Sequence, residues 1–131
     1  MIEQHFLEGA ATPRGYSHGI ISEPGRLLHL AGMAAINNDG SSSVGLSLEE
    51  QTELTIDRIL KIIKQLDADL VNMVRRTTYV VDLTAEKTDI IQTIFARRFG
   101  PKVLPAATML GVTGLARPHM DIEIECTLLM A

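Results

Sequence analysis

Segment 120–130 alternates with period two. Asp121, Glu123, Glu125 and Thr127 fall on one side, and Ile122, Ile124, Cys126 and Leu128 on the other. Successive side chains of a strand point to opposite faces, so the pattern predicts a strand with one apolar and one polar face. Whatever surrounds this strand must supply an apolar layer on one side only.

Two amphipathic stretches can supply that layer. The spacing predicts a helix over 47–68, opened by the capping box Ser47-x-x-Glu50 with Glu49 in its first turn. Its apolar stripe is Leu48, Thr52, Thr55, Ile56, Ile59, Leu60, Ile63 and Leu66, and Glu49, Glu53, Asp57, Lys61 and Lys64 lie mostly opposite. A second helix is expected over 85–99, burying Ile90, Ile91, Ile94 and Phe95, with Arg97 and Arg98 at the negative end of its dipole and Gly100-Pro101 as its stop. Strands are expected over 18–22 and 26–34, joined as a hairpin by Glu23-Pro24-Gly25, and over 75–82, 106–113 and 120–130.

The expected order is β-β-α-β-α-β-β, an α+β domain. Two helices can cover only one face of such a sheet, so the other face meets solvent or a second subunit. Segment 75–82 carries apolar or β-branched residues on both faces, which suits burial on both and favours a closed homo-oligomer.

The chain has 131 residues, room for one domain, taken as 1–131. The polar stretch 37–43 reads as a loop within it. A net charge of −4 argues against a nucleic-acid binder that works by bulk electrostatics, and 4% aromatics without tryptophan argue against a stacking platform for single strands. No apolar run approaches the roughly 18 residues of a membrane span, and Met1-Ile2-Glu3 is not a basic leader, so a soluble cytoplasmic protein is expected.

Few residues have spacing that carries chemistry. There is no phosphate-binding glycine loop and no GxSxG elbow. His5, His18, His29 and His119 are scattered, and Cys126 is the single cysteine, so no metal site is expected. Cys126 lies on the apolar side of its strand and reads as a buried, inert thiol. Asp121, Glu123 and Glu125 share a face. Solvent exposure suits two of them, and one lining a cleft could act as a general acid or base or position a water. Tyr16, in a loop before the first hairpin, is either a structural cap or a donor in a site. Arg117 reads as a solvated charge or the partner of a nearby acid.

Five segments taken together resemble the YjgF/Rid family, the reactive intermediate deaminases also called endoribonuclease L-PSP. They are Gly15-Tyr16-Ser17-His18-Gly19, Leu30-Ala31-Gly32, the run 75–83, Leu104-Pro105-Ala106-Ala107-Thr108 and Ile122-Glu123-Ile124-Glu125, covering about 16–130. The resemblance implies a chorismate-mutase-like α+β fold, a single sheet with two helices on one face. It also implies a homotrimer with a small-molecule site in each of three clefts between subunits. The family's best-known members hydrolyse enamines or imines to a keto acid and ammonia, without metal or cofactor. By position, Tyr16 matches the cleft tyrosine and Glu123 the glutamate that holds the attacking water. Gly32 and Met109 match positions whose backbone contacts the ligand.

One departure stands out. Where the deaminases carry an arginine that grips the substrate carboxylate, this chain has Ala107, and Ala31 replaces a serine. A bidentate charge-assisted contact is worth roughly 1.5–3 kcal/mol, so specialisation for 2-aminoacrylate is not expected. Three readings stay open: a C–N substrate without a carboxylate at Ala107, a charge supplied instead by Arg14 or Arg117, or a ligand-binding or regulatory trimer without turnover. Ribonuclease activity fits an acidic, aromatic-poor chain least well.

Overall fold

A computed structural model describes residues 2–11, 15–23, 25–37, 39–41 and 44–130. Its elements are β1 (Ile2–His5), β2 (Gly19–Ser22), β3 (Leu27–His29), α1 (Leu48–Gln65), a 3-10 turn (Leu70–Asn72), β4 (Met73–Val81), α2 (Ala85–Phe99), β5 (Ala106–Val112) and β6 (Ile122–Leu129). The main sheet has the order β3-β6-β4-β5, and a separate two-stranded ribbon pairs β1 with β2. β4 and β5 run parallel, joined through α2, whereas β6 is antiparallel to both β3 and β4.

The alternation in β6 has the expected outcome. Ile122, Ile124, Cys126 and Leu128 are buried, with Glu123, Glu125 and Thr127 half-buried on the other side. α1 and α2 pack on the apolar side, where Ile56, Ile59, Ile63, Ile91, Ile94, Phe95 and Phe99 join Val80 and the β6 side chains in one core. At the start of α1 the capping box is complete: Ser47 Oγ accepts from the Glu50 amide at 3.1 Å, and Glu50 accepts from the Ser47 amide at 3.1 Å. Leu66, placed in the apolar stripe from sequence, caps α1 and is exposed.

One expectation is corrected. Segments 18–22 and 26–34 do not form a hairpin. β2 pairs with β1, a strand the periodicity did not predict, and β3 pairs with the open edge of β6. Pro24 of the expected turn lies outside the described residues. Within one chain, segment 75–82 is covered by the helices on one face only. Arg76, Thr78 and Val80 face the helices and are buried, while Arg75 is exposed and Thr77 and Tyr79 are half-buried. The uncovered face is mixed: Arg75, Thr77, Tyr79, Glu123, Glu125 and Thr127 share it with the exposed Leu27 and Leu110.

Arg97 and Arg98 do more than balance the helix dipole. Both pair with Glu53 of α1, and Arg98 also reaches Asp57. The Arg98 contact holds the Glu53 carboxyl below its ordinary 4.5. A carboxyl depressed in the folded state adds stability above its unfolded pKa and loses it as pH falls through the folded value. The Tm of the protein is therefore expected to drop more steeply below about pH 4.5 than that of Glu53→Gln. The effect should be small, ~0.2–1 kcal/mol for a partly exposed pair. Parallel Tm–pH profiles would show that the pair adds nothing.

Candidate functional site

The chemistry-bearing residues fall on two sides of the sheet. On the uncovered face, Glu123 of β6 stands opposite Tyr79 of β4, and Glu125 opposite Thr77. The Tyr79 hydroxyl donates to Glu125 Oε1 at 2.6 Å, and that bond raises the phenol above its usual pKa. Glu125 therefore has a partner. Glu123 has no hydrogen bond or ion pair among the described residues, and its half-buried carboxylate lines an open concavity of about 410 Å³. Gly32, Tyr79, Gly114, Leu115 and Ala116 share that wall.

Gly32 is there for room. A Cβ built on it would come within 2.7 Å of the Glu123 carboxyl carbon and 3.1 Å of its Cγ. Any other residue at 32 would push the carboxylate aside. The segment is anchored one residue on, where Met33 exchanges backbone hydrogen bonds with Ile124 at 2.7 and 2.9 Å.

On the helix side, a cavity of about 220 Å³ lies between α2 and the edge strand β5. Gly15 and Tyr16 close it from the N-terminal segment, Ala107 and Met109 from β5, and Arg76 from β4. Tyr16 is half-buried and its ring meets His18 edge-on at 6.0 Å. The loop is pinned at Ser17, whose amide donates to the Pro105 carbonyl at 2.9 Å and whose hydroxyl donates to the Leu104 carbonyl. Tyr16 is thus held beside Ala107. Within one chain, however, Tyr16 and Glu123 lie on different concavities, and the sheet stands between them.

The remaining candidates are spread out. Asp121 is used structurally: its carboxylate accepts from Gln51 Nε2 at 2.9 Å, and its amide donates back to Gln51 Oε1 at 2.9 Å. Arg117 is exposed and donates to the Gly40 carbonyl, outside the cavity that holds Ala107. Arg14 lies outside the described residues. Cys126 is buried, and burial pushes its thiol up to about 12, which suits inert packing. Arg76 was not singled out from sequence, although the same period-two count that puts Val80 in the core puts Arg76 on that side too.

Among the described residues, no helix is long and apolar enough to cross a membrane. Compared with known proteins, residues 8–130 match the family model for endoribonuclease L-PSP. The chain is 32% identical over 111 residues to chloroplastic Reactive Intermediate Deaminase A of Arabidopsis thaliana. That match covers 85% of this chain but 56% of the plant protein, so the chain spans about half the length of this relative. Among solved structures, the Rid-family protein YyfB of Yersinia pestis, described as of unknown function, superimposes with a TM-score of 0.90. It is 28% identical, with 98% of each chain covered. A YjgF-family member from Neisseria meningitidis shares the fold at a TM-score of 0.66 and 21% identity, over 100% of this chain and 96% of that one.

Proposed function

The chain belongs to the endoribonuclease L-PSP family, the YjgF/Rid proteins, and from that premise we propose that it hydrolyses the C–N bond of a small enamine or imine. The observation that carries this reading is Glu123, a half-buried carboxylate in a concavity, without a partner among the described residues and with a glycine kept clear beside it. Such a group can accept a hydrogen bond from a water and take its proton as the oxygen attacks the iminium carbon. Glu123 returns that proton to the nitrogen of the resulting carbinolamine, and as the C–N bond breaks and ammonia leaves, the freed carboxylate takes the hydroxyl proton, so that a neutral carbonyl forms. Atoms and charge balance with water as the only co-reactant, so the step calls for neither metal nor cofactor.

Tyr16 would orient the substrate, with the backbone at Gly32 and Met109 contacting it. Since Tyr16 and Glu123 are apart in one chain, a complete site needs a second copy to bring its Tyr16 to this Glu123. A homotrimer with three clefts satisfies that need. Ala107 offers no charge, so position 107 itself does not grip a substrate carboxylate.

The test is ammonia release from imines generated in place by an amino-acid oxidase, with acidic and neutral side chains compared. Acceleration over the uncatalysed rate is expected. No acceleration with any of them overturns the hydrolase reading. Ligand binding without product, unchanged by Glu123→Gln, would make the protein a binding module instead. Gly32→Ala is a second probe. With the carboxylate displaced by about 1 Å, turnover should fall roughly a hundredfold, while the Tm stays near that of the parent. Unchanged turnover would detach Glu123 from the chemistry.

A further inference from the structure

The helix-side cavity contains a cation that the proposed chemistry has not used. Arg76 is 6% exposed. Its guanidinium lies over the rings of Phe95 and Phe99, at 4.7 and 5.6 Å from their centres. Among the described residues it has one hydrogen bond, from Nη2 to the Gly15 carbonyl at 3.3 Å, and no carboxylate pairs with it. The neighbouring arginines differ. Arg97 and Arg98 have Glu53 and Asp57, and Arg75 donates to Thr108 Oγ1 at 2.7 Å in the open. Burying a charge without a counter-ion is costly, and ring faces and one carbonyl offset only part of the cost. Burial draws the Arg76 guanidinium down to about 10, still protonated at neutral pH.

Register places this cation beside the chain's departure from its relatives. β4 and β5 pair in parallel with Arg76 opposite Ala107 and Thr78 opposite Met109. Adjacent strands lie about 4.8 Å apart, so Ala107, having no side chain beyond Cβ, leaves free the volume next to the guanidinium. That volume is part of the 220 Å³ cavity closed by Tyr16 and Met109. It is smaller than the roughly 300–1,000 Å³ of drug-sized sites, and it suits a group of a few heavy atoms.

We propose that Arg76 is the anion anchor of this site, and that a short carboxylate enters over Ala107 to meet its guanidinium between β5 and α2. The substrate class is thereby narrowed to small carboxylate-bearing molecules, held from strand β4 rather than from position 107. This deepens the hydrolase reading and rests on it for the identity of the ligand as substrate. The anchor itself is a binding claim, so it can be tested without turnover.

The test is an NMR titration with propionate, set against its neutral isostere propionamide, following the Arg76 Nε–Hε resonance and the amides of Ala107 and Met109. Saturable shifts with propionate and a roughly tenfold to hundredfold weaker response to propionamide are expected. Arg76→Met keeps the aliphatic stem over the phenylalanines and should lose the propionate preference, whereas Arg76→Lys should keep part of it. Should Arg76→Met fail to fold, Ala107→Leu answers separately, because it fills the cavity and leaves the charge in place. It should abolish the shifts.

Equal affinity for the two probes, or propionate binding untouched by Ala107→Leu, overturns the anchor. Those results are distinguishable from failure of the hydrolase reading, which shows as absent ammonia release while propionate still binds. With turnover, Arg76→Lys should raise KM for carboxylate-bearing imines and leave kcat within a fewfold. A purely structural Arg76 would lower Tm and leave KM alone.

Discussion

Replacing Glu123 by glutamine is expected to lower ammonia release from an accelerated imine by roughly 10²–10⁴-fold, the range for losing a positioned general acid–base group. The amide has nearly the shape of the carboxylate, can still touch a water and cannot take its proton. Glu123 is half-buried, stands on the uncovered face and has no hydrogen bond or ion pair among the described residues, so no structural contact is lost with its charge. The Tm should therefore stay within a degree or two. Glu125→Gln separates the roles of the two acids. Glu125 is occupied by the Tyr79 hydroxyl at 2.6 Å, so its loss should relax the tyrosine's raised pKa and affect rate much less. If Glu125→Gln proved the more damaging of the pair, the water would belong to Glu125 and the site assignment would be wrong.

The residue between those two acids should give the opposite result. Ile124 points to the other side of β6, is fully buried, and sits in the core between the sheet and both helices. Ile124→Ala is expected to cost ~2–5 kcal/mol, from lost burial and from a cavity that a rigid sheet cannot close. For a domain of this size that corresponds to a fall in Tm of roughly 5–25 °C. Denaturant unfolding with an unchanged m-value would show lost stability rather than an altered unfolded state. At temperatures where the variant remains folded, kcat should be near normal. A loss under 1 kcal/mol would mean that the layer between β6 and the helices is looser than its burial indicates.

One strand thus carries core residues on one face and polar residues, the proposed water-holding Glu123 among them, on the other, and the alternation itself was legible beforehand. The period-two run marked which β6 residues are core and which are polar. The capping box at Ser47 and Glu50 marked where α1 begins, and Gly100 marked where α2 ends. The run 75–83 and the Gly15–Gly19 segment pointed to the family. These are local signals. Capping is settled within one turn, and periodicity within one element.

What the sequence by itself determined, then, is every strand and α-helix but β1, the buried side of β6 and of most of both helices, and the kin of the chain. The tertiary structure alone decided which strand lies beside which. It gave β2 to β1 and β3 to β6, so the expected hairpin is absent. It put Tyr16 and Glu123 on opposite sides of a sheet, which is why the proposed site needs a second copy. It also set Arg76, 31 positions earlier in the chain, directly across from Ala107. Pairing and register depend on contacts between residues far apart in the chain, made as many side chains find cover at once, and no local pattern encodes them. For that reason Ala107 could be noticed in the sequence as a departure from the resemblance, while the place of Arg76 directly beside it was visible only in the fold.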